Sequence, residues 1–318
     1  MTANSSAPRH FLDIRDHSAE TLRGMLDNAA QMKLDWKSGR RAEQRALFEG
    51  LVLAMIFQKP STRTRISFEV AMRDLGGAAI VLHANELQLG RGETIADTAR
   101  ILSGFVDAVM IRTTDHNDVL DLASHASIPV LNGLTDTSHP CQLMADILTF
   151  EEVRGPVAGQ KIAWVGDGNN VAHSWIQAAA RFDFDLALAI PESFDPDPEQ
   201  IQWAEAEGAS VQIFRDPEEA VQGARCVVTD TWISMGDNEA EAADRRARFA
   251  PFQVTGKLMD CAEKDAIFMH CLPAHRGEEV SAEVIDGPAS IVFQEAENRL
   301  HAQKALLHWC LAGSGAQI

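Results

Sequence analysis

Short apolar runs alternate with amphipathic stretches along this chain, and that alternation restricts its fold more than any other feature. In the first half, residues 51–57, 79–83, 108–112 and 129–132 read as strands. Helical patterns precede and separate them. One is capped by Ser18, with Leu22, Met25, Leu26, Ala29 and Met32 on one face; others cover 61–75, 94–103 and 117–127. Gly76-Gly77 closes the helix at 61–75. Strands and helices at this spacing mean βαβ units around a parallel sheet. From His139 to about residue 153, Leu143, Ile147 and Phe150 share a face of a long connecting helix, and Gly155-Pro156 breaks the chain after it.

The second half repeats the pattern. Strands are expected at 162–166, 186–190, 211–214, 226–230, 266–270 and 290–293, with helices at 171–181 and 198–207. Asp216-Pro217-Glu218-Glu219 is a capping box. An acidic, alanine-rich stretch from Trp232 to Pro251 reads as a loop with a helical portion, and residues 296–311 as a terminal helix. The expected fold is α/β, with two doubly wound parallel-sheet domains joined by long helices. The first covers 1–150, with the terminal segment of about 296–318 packing back onto it; the second covers 151–295. A chain of 318 residues, 46% of them hydrophobic, can bury two such cores.

Composition narrows the function. A net charge of −18 disfavours a nucleic-acid partner, which asks for a basic face. Five scattered cysteines, with no C-x-x-C spacing, argue for a reducing compartment and against a disulfide framework or a zinc knuckle. Residues 1–10 lack a leader pattern, and no apolar run approaches bilayer-spanning length. A soluble, cytoplasmic protein with no membrane partner is expected.

Ligands of open α/β sheets bind beyond the carboxyl ends of the strands, so polar residues there carry the functional reading. The densest group is Lys59-Pro60-Ser61-Thr62-Arg63-Thr64-Arg65. Pro60 keeps Lys59 out of the helical region, and Ser61 is a good N-cap. Backbone N–H groups, hydroxyls and two guanidinium forks therefore share one helix N-terminus. Cations there oppose the helix dipole, and a bound phosphate dianion offsets the repulsion. A capped helix with solvated arginines is the alternative, and it leaves the cations unexplained.

Arg112 ends an otherwise apolar strand, either as an ion pair or as a ligand contact. His139 precedes Pro140 at a helix start, where a neutral imidazole is favoured; it reads as a cap or as a donor to a carbonyl. Gln142, three residues on, offers both a donor and an acceptor. Gly166-Asp167-Gly168-Asn169-Asn170-Val171 invites a dinucleotide reading but lacks the third glycine, so Asn169 or Asn170 reads better as a contact to a small ligand. Asp230 suits the ammonium of an amino acid, and the Ser234–Met235 turn its carboxylate, against an ordinary loop. His270-Cys271-Leu272-Pro273-Ala274-His275-Arg276 leaves four readings open for Cys271: an inert buried thiol, a stabilised thiolate, Cys–His chemistry or a metal ligand.

Together these segments resemble the aspartate/ornithine carbamoyltransferase family along nearly the whole chain. S-T-R-T-R-x-S-F-E at 61–69 is similar to the family's carbamoyl phosphate signature. D-x-x-x-S-M-G at 230–236 and H-C-L-P-A-x-R-G at 270–277 resemble its ornithine branch. Gln88 to Glu93 stands where the aspartate branch carries a lysine. The resemblance implies that Ser61, Thr62, Arg63 and Thr64 hold the phosphate and that Arg112, His139 and Gln142 hold the carbamoyl group. It implies that Arg299 and the Cys271-Leu272 backbone close the site, and that Gln88 reaches the carbamoyl phosphate of a neighbouring subunit in a homotrimer. Asn170, Asp230, Ser234 and Met235 would bind ornithine, and Arg63, Arg112, His139 and Cys271 would be catalytic. A cis Leu272-Pro273 bond, a mobile loop after Asp230, and no metal or organic cofactor are also implied.

The implied reaction moves the carbamoyl group of carbamoyl phosphate to the δ-amino group of L-ornithine, giving citrulline and phosphate on the biosynthetic side of arginine metabolism. Three rivals remain. One is a transferase acting on putrescine or an N-acylated ornithine, another a nicotinamide-dependent oxidoreductase resting on 166–171, and the third a non-catalytic amino-acid sensor.

Overall fold

Residues 7–83, 92–233 and 239–312 are described by the computed structural model of this chain. It divides into two compact units, Met1–Leu148 with Asn298–Ile318, and Thr149–Glu297.

In the first unit the chain runs through α1 (Ala19–Lys37), α2 (Arg41–Gln44), β1 (Val52–Phe57), α3 (Thr62–Leu75), β2 (Ala78–His83), α4 (Ile95–Ser103), β3 (Ala108–Arg112), α5 (His116–His125), β4 (Val130–Leu134) and α6 (Pro140–Arg154). The four strands are parallel, in the order β2-β1-β3-β4. Central β1 is apolar on both faces: Leu53, Ala54, Met55 and Ile56 are each at most 1% exposed. Burying a Leu or Ile side chain is worth about 1.5–3 kcal/mol, so this run supplies much of the local driving force. Ala54, Ile56, Val109 and Ile111 join Val119, Leu122 and Val130 in one cluster.

Helix α3 begins and ends as its sequence predicts. Ser61 Oγ accepts the Thr64 N–H at its start, and Gly76, at φ 95°, ends it in the left-handed region. A Cβ on Gly76 would lie 1.7 Å from the Arg45 carbonyl oxygen, so only glycine fits.

The second unit runs through β5 (Lys161–Val165), α7 (Asn170–Phe182), β6 (Asp185–Ala189), α8 (Pro198–Ala206), β7 (Val211–Phe214), α9 (Pro217–Val221), β8 (Cys226–Thr229), α10 (Glu239–Phe249), α11 (Gly256–Met259), β9 (Ile267–His270) and α12 (Ala282–Ile285). α13 (Val292–Ala312) then carries the chain back into the first unit. Five parallel strands lie in the order β7-β6-β5-β8-β9. The molecule is thus an α/β protein with two parallel sheets, two domains and a long C-terminal helix.

One expected strand is absent. Residues 290–293 make a single bridge, Ser290 to Phe268, and α13 is already helical from Val292. The early start has a local reason: Glu295, inside the first turn, accepts the His270 N–H at 2.8 Å, a bond that an extended chain would not place there.

Each sheet reverses its strand order once. In the first unit β1 has β2 on one side and β3 on the other; in the second, β5 has β6 and β8. The crevices beyond these switch points are where an open α/β sheet presents its ligand site. Among the described residues no helix is long and apolar enough to cross a membrane.

Candidate active site

Each unit carries one cluster of polar side chains at its switch point. In the first, β1 delivers Ser61 to Thr64 and β3 delivers Arg112, because Phe57 and Arg112 are paired in register. Thr64 is fully buried, and its Oγ1 accepts from two guanidinium groups, Arg299 Nη2 at 2.8 Å and Arg112 Nη1 at 3.3 Å. Arg299 comes from α13, 235 positions away in sequence.

His139 stands immediately before Pro140, the first residue of α6, and is 4% exposed. Its pKa lies well below the ordinary 6.5, first because burial disfavours the imidazolium, then because the charges of Arg299, Arg112 and Arg63 repel it. The sequence reading reached a neutral imidazole through the helix dipole alone. Burial and three arginines, in that order, are what hold it neutral here. Gln142 is fully buried and its Nε2 donates to Asp146 Oδ1 at 2.8 Å, which points its amide carbonyl the other way. Cys141, between them, is an inert thiol pushed up to about 12 by burial, with its Sγ donating to the Asn132 carbonyl.

The expected pair of guanidinium forks at the α3 start is corrected in one respect. Arg65 turns outward, is exposed, and its Nε reaches Glu69 Oε2 at 3.3 Å. Arg112 and Arg299 replace it in the cluster, while Arg63 is half-buried and Thr62 exposed. The i,i+4 spacing of Arg65 and Glu69 was the signal that separates the two arginines.

The state of His139 has a consequence for stability. The unfolded chain titrates this histidine near 6.5, and the folded protein only well below it. As pH falls, the unfolded state therefore takes up the proton first. Stability drops below about pH 6.5 by up to about 1.4 kcal/mol per pH unit, until the folded pKa is reached. Urea unfolding at pH 7 and pH 5 is expected to show a larger loss for the wild type than for His139→Asn. Equal losses would refute it.

In the second unit, β5, β8 and β9 deliver Asp167 to Asn170, Asp230 and Cys271. Asp230 is the centre of this cluster. Its Oδ1 accepts from Cys271 Sγ at 3.1 Å and from the Thr231 N–H at 2.8 Å, and its Oδ2 from Asn169 Nδ2 at 3.1 Å. Asn169 also caps α7 by accepting the Val171 and Ala172 N–H groups. Asn170 is half-buried at the first position of that helix.

The dinucleotide reading of 166–171 fails on space. A Cβ on Gly168 would sit 2.3 Å from the Pro196 nitrogen and 2.5 Å from the Phe194 carbonyl oxygen. The Gly168 N–H already donates to that carbonyl. Protein backbone thus fills the approach that a pyrophosphate needs, and Asn169 occupies the helix N–H groups that would cradle it.

Two buried carboxylates organise the turn after β9, and the sequence reading missed both. Leu272 has a left-handed φ of 56°, and the Leu272-Pro273 bond is cis. The Leu272 N–H donates to His270 Nδ1 at 2.9 Å, so the ring proton sits on Nε2, facing Glu279 Oε1 at 3.3 Å. Glu295 holds the His270 backbone N–H. Arg245 is a third missed residue: it donates to Asp167 and to the Trp232 carbonyl while lying over Phe194 and Phe249, each at 4.9 Å. The burial of Asp167 raises its pKa in spite of Arg245.

Asp230, His270 and Cys271 place three ligand-type atoms within 4.8 Å, so the acidic partner that adjacency in sequence did not supply comes from β8. His270, however, spends one ring nitrogen on Leu272 and the other on Glu279, which leaves a metal only two ligands there. A second group, His275, Glu278 and Glu279, has Glu278 bonded to Arg246 at 3.2 Å. Neither arrangement fits a resident metal without breaking these bonds. Gln88, Ser234 and Met235, together with Arg91, lie outside the described residues.

Comparison with known proteins matches both units. Residues 9–152 match the aspartate/ornithine carbamoyltransferase carbamoyl-P binding domain, and residues 158–310 the Asp/Orn binding domain of the same family. The ornithine carbamoyltransferase of Mesorhizobium japonicum is 60% identical over 307 residues, covering 95% of this chain and 98% of that one. That of Nitrobacter winogradskyi is 57% identical over 311 residues, 98% of this chain and all of its own. Among solved structures, the ornithine carbamoyltransferase from Pyrococcus furiosus superposes with a TM-score of 0.92 at 52% identity, covering 98% of this chain and 99% of that chain. Matched in both halves and at this identity, the chain belongs to the aspartate/ornithine carbamoyltransferase family.

Proposed function

We propose that this protein transfers the carbamoyl group of carbamoyl phosphate to the δ-amino group of L-ornithine, forming L-citrulline and phosphate. One observation carries the reading. A buried, neutral histidine faces the charges of Arg63, Arg112 and Arg299 beside a helix N-terminus whose Thr64 takes two of those arginines. That is a site for a dianion joined to a carbonyl. The ornithine carbamoyltransferases at 57–60% identity support the acceptor.

Ser61, Thr62, Arg63 and Thr64 bind the phosphate. Arg112 and His139 donate to the carbonyl oxygen, and the Gln142 carbonyl accepts from the carbamoyl NH2. In the second unit Asn170 and Asp230 bind the α end of ornithine, with Ser234 and Met235. The δ-ammonium first gives up one proton to solvent, and the lone pair exposed forms the N–C bond. The C–O bond to phosphate then breaks, and the phosphate leaves with the bonding pair and accepts the second proton, which the nitrogen loses after the attack. Arg63, Arg112 and His139 stabilise the tetrahedral oxyanion as preorganised donors. No step requires a metal, because phosphate is already a good leaving group.

Citrulline formation with L-ornithine, putrescine and N-acetyl-L-ornithine run side by side tests the proposal. Preference for ornithine is the expected result; a better rate with either rival overturns the amino-acid site and leaves the phosphate site standing. A homotrimer sharing its sites through Gln88 is part of the proposal, and sedimentation at three times the chain mass is the expected result. The biosynthetic direction is supported by the enzyme from Campylobacter jejuni, described as anabolic, at 39% identity and a TM-score of 0.87, covering 95% of this chain and 98% of that one. A cytoplasmic location accords with the five scattered cysteines.

A further inference from the structure

Lys33, on α1, is 6% exposed, and its ammonium donates to Asn298 Oδ1 at 2.6 Å. Asn298 is fully buried and directly precedes Arg299. Three residues further along both helices, Trp36 packs edge-on against His301, with ring centroids 5.6 Å apart. One turn later Lys304, also fully buried, donates to Gln44 Oε1, and the Gln44 amide donates to the Met32 carbonyl at 2.9 Å. A polar seam thus joins α1 and α2 to α13.

The same two helices hold α3. Trp36 Nε1 at 3.1 Å and Arg41 Nε at 3.0 Å both donate to Asp74, the penultimate residue of α3. Arg63 and Thr64 sit at the other end of that helix. One set of α1–α2 contacts therefore fixes both partners of the Arg299–Thr64 hydrogen bond.

Buried ammonium groups are a poor route to stability, because an apolar side chain of the same volume would do as well or better. What a hydrogen bond of fixed length adds is register. Apolar contacts allow a helix to slide or roll among near-equal packings, whereas a buried polar pair selects one of them. Arg299 contributes the largest of the three arginine charges acting on His139, so its placement bears directly on the donor site.

We infer that the Lys33–Asn298 hydrogen bond is a register pin for α13, which holds the Arg299 guanidinium at Thr64 and makes Lys33 and Asn298 positioning residues for carbamoyl phosphate. This rests on reading Arg299 as a contact of that substrate.

The test is a double-mutant cycle in the full-length enzyme, with KM and kcat measured for both substrates. Lys33→Met, which keeps the volume and removes the donor, is expected to raise KM for carbamoyl phosphate about tenfold, the scale of one misplaced charge-assisted bond. KM for ornithine is expected to stay within about twofold. Asn298→Asp, which keeps an acceptor for Lys33, is expected to retain the wild-type KM. In an Arg299→Ala background, Lys33→Met is expected to add less than about twofold, since the group that it positions is gone.

An equal effect of Lys33→Met in both backgrounds overturns the inference in favour of a purely structural lysine. An unchanged KM for Lys33→Met, beside a large effect of Arg299→Ala, overturns it while leaving the site reading intact. An unchanged KM for Arg299→Ala removes both. Should Lys33→Met fail to fold, Asn298→Ser breaks the same bond from the other side and is judged by the same outcomes.

Discussion

Arg63→Ala is expected to lower kcat by on the order of 10²-fold or more, a loss of about 2.7 kcal/mol or more in transition-state stabilisation. With Arg65 turned outward to Glu69, Arg63 is the guanidinium of the α3 start whose charge reaches His139. Removing it leaves the imidazole neutral, because burial, Arg299 and Arg112 are the larger causes of that state. The loss therefore falls on the charge that develops on the phosphate and the oxyanion. Arg65→Ala is the matching control. That arginine is exposed and paired with Glu69, so a change within about twofold is expected. Near-normal turnover by Arg63→Ala would sink the phosphate assignment.

Asp230→Ala is expected to reduce kcat/KM for ornithine by about 10²-fold or more while leaving carbamoyl phosphate binding intact. The carboxylate accepts from Cys271, Thr231 and Asn169, so its loss removes the acceptor of all three along with the partner of an incoming ammonium. Asp230→Asn keeps the shape and changes the charge; a similar loss for both variants assigns the effect to charge. Calorimetric titration with carbamoyl phosphate alone is the second readout, because Ser61 to Thr64, Arg112, His139 and Gln142, proposed to hold that substrate, lie in the first unit. A loss of both affinities together would argue against Asp230 as an acceptor contact.

Much of this was legible because it is local. The apolar run of β1, the Pro60 break and the Ser61 cap are consecutive, and each acts on its immediate neighbours. Gly76 is similar: a helix stop that a reader can see beside the helix it stops. The partner of Thr64 was not legible by spacing, since nothing within a helical turn points to Arg299; only the family resemblance put Arg299 near the site at all. The same holds for Asp230, Asn169 and Cys271, which three different strand ends bring together. Glu279 and Glu295 went unread because an acidic residue in a polar segment looks solvated until its burial is known. The strand expected at 290–293 failed for a related reason. A short apolar run fits strand and helix alike, and the tie was broken by a hydrogen bond to His270 that no periodicity records.

The first unit is assembled from both ends of the chain, and this matters while the chain is being made. Residues up to Leu148 leave the ribosome first, but Asn298 follows only after the whole of the second unit. At translation rates of about 5–20 residues per second, the interval is roughly seven to thirty seconds. During that time Lys33 has no Asn298 to meet and Thr64 no Arg299, so the earlier-made unit is the later to be completed. A stop codon shortly before Asn298 would accordingly spare the second sheet and disable the half that came off the ribosome first.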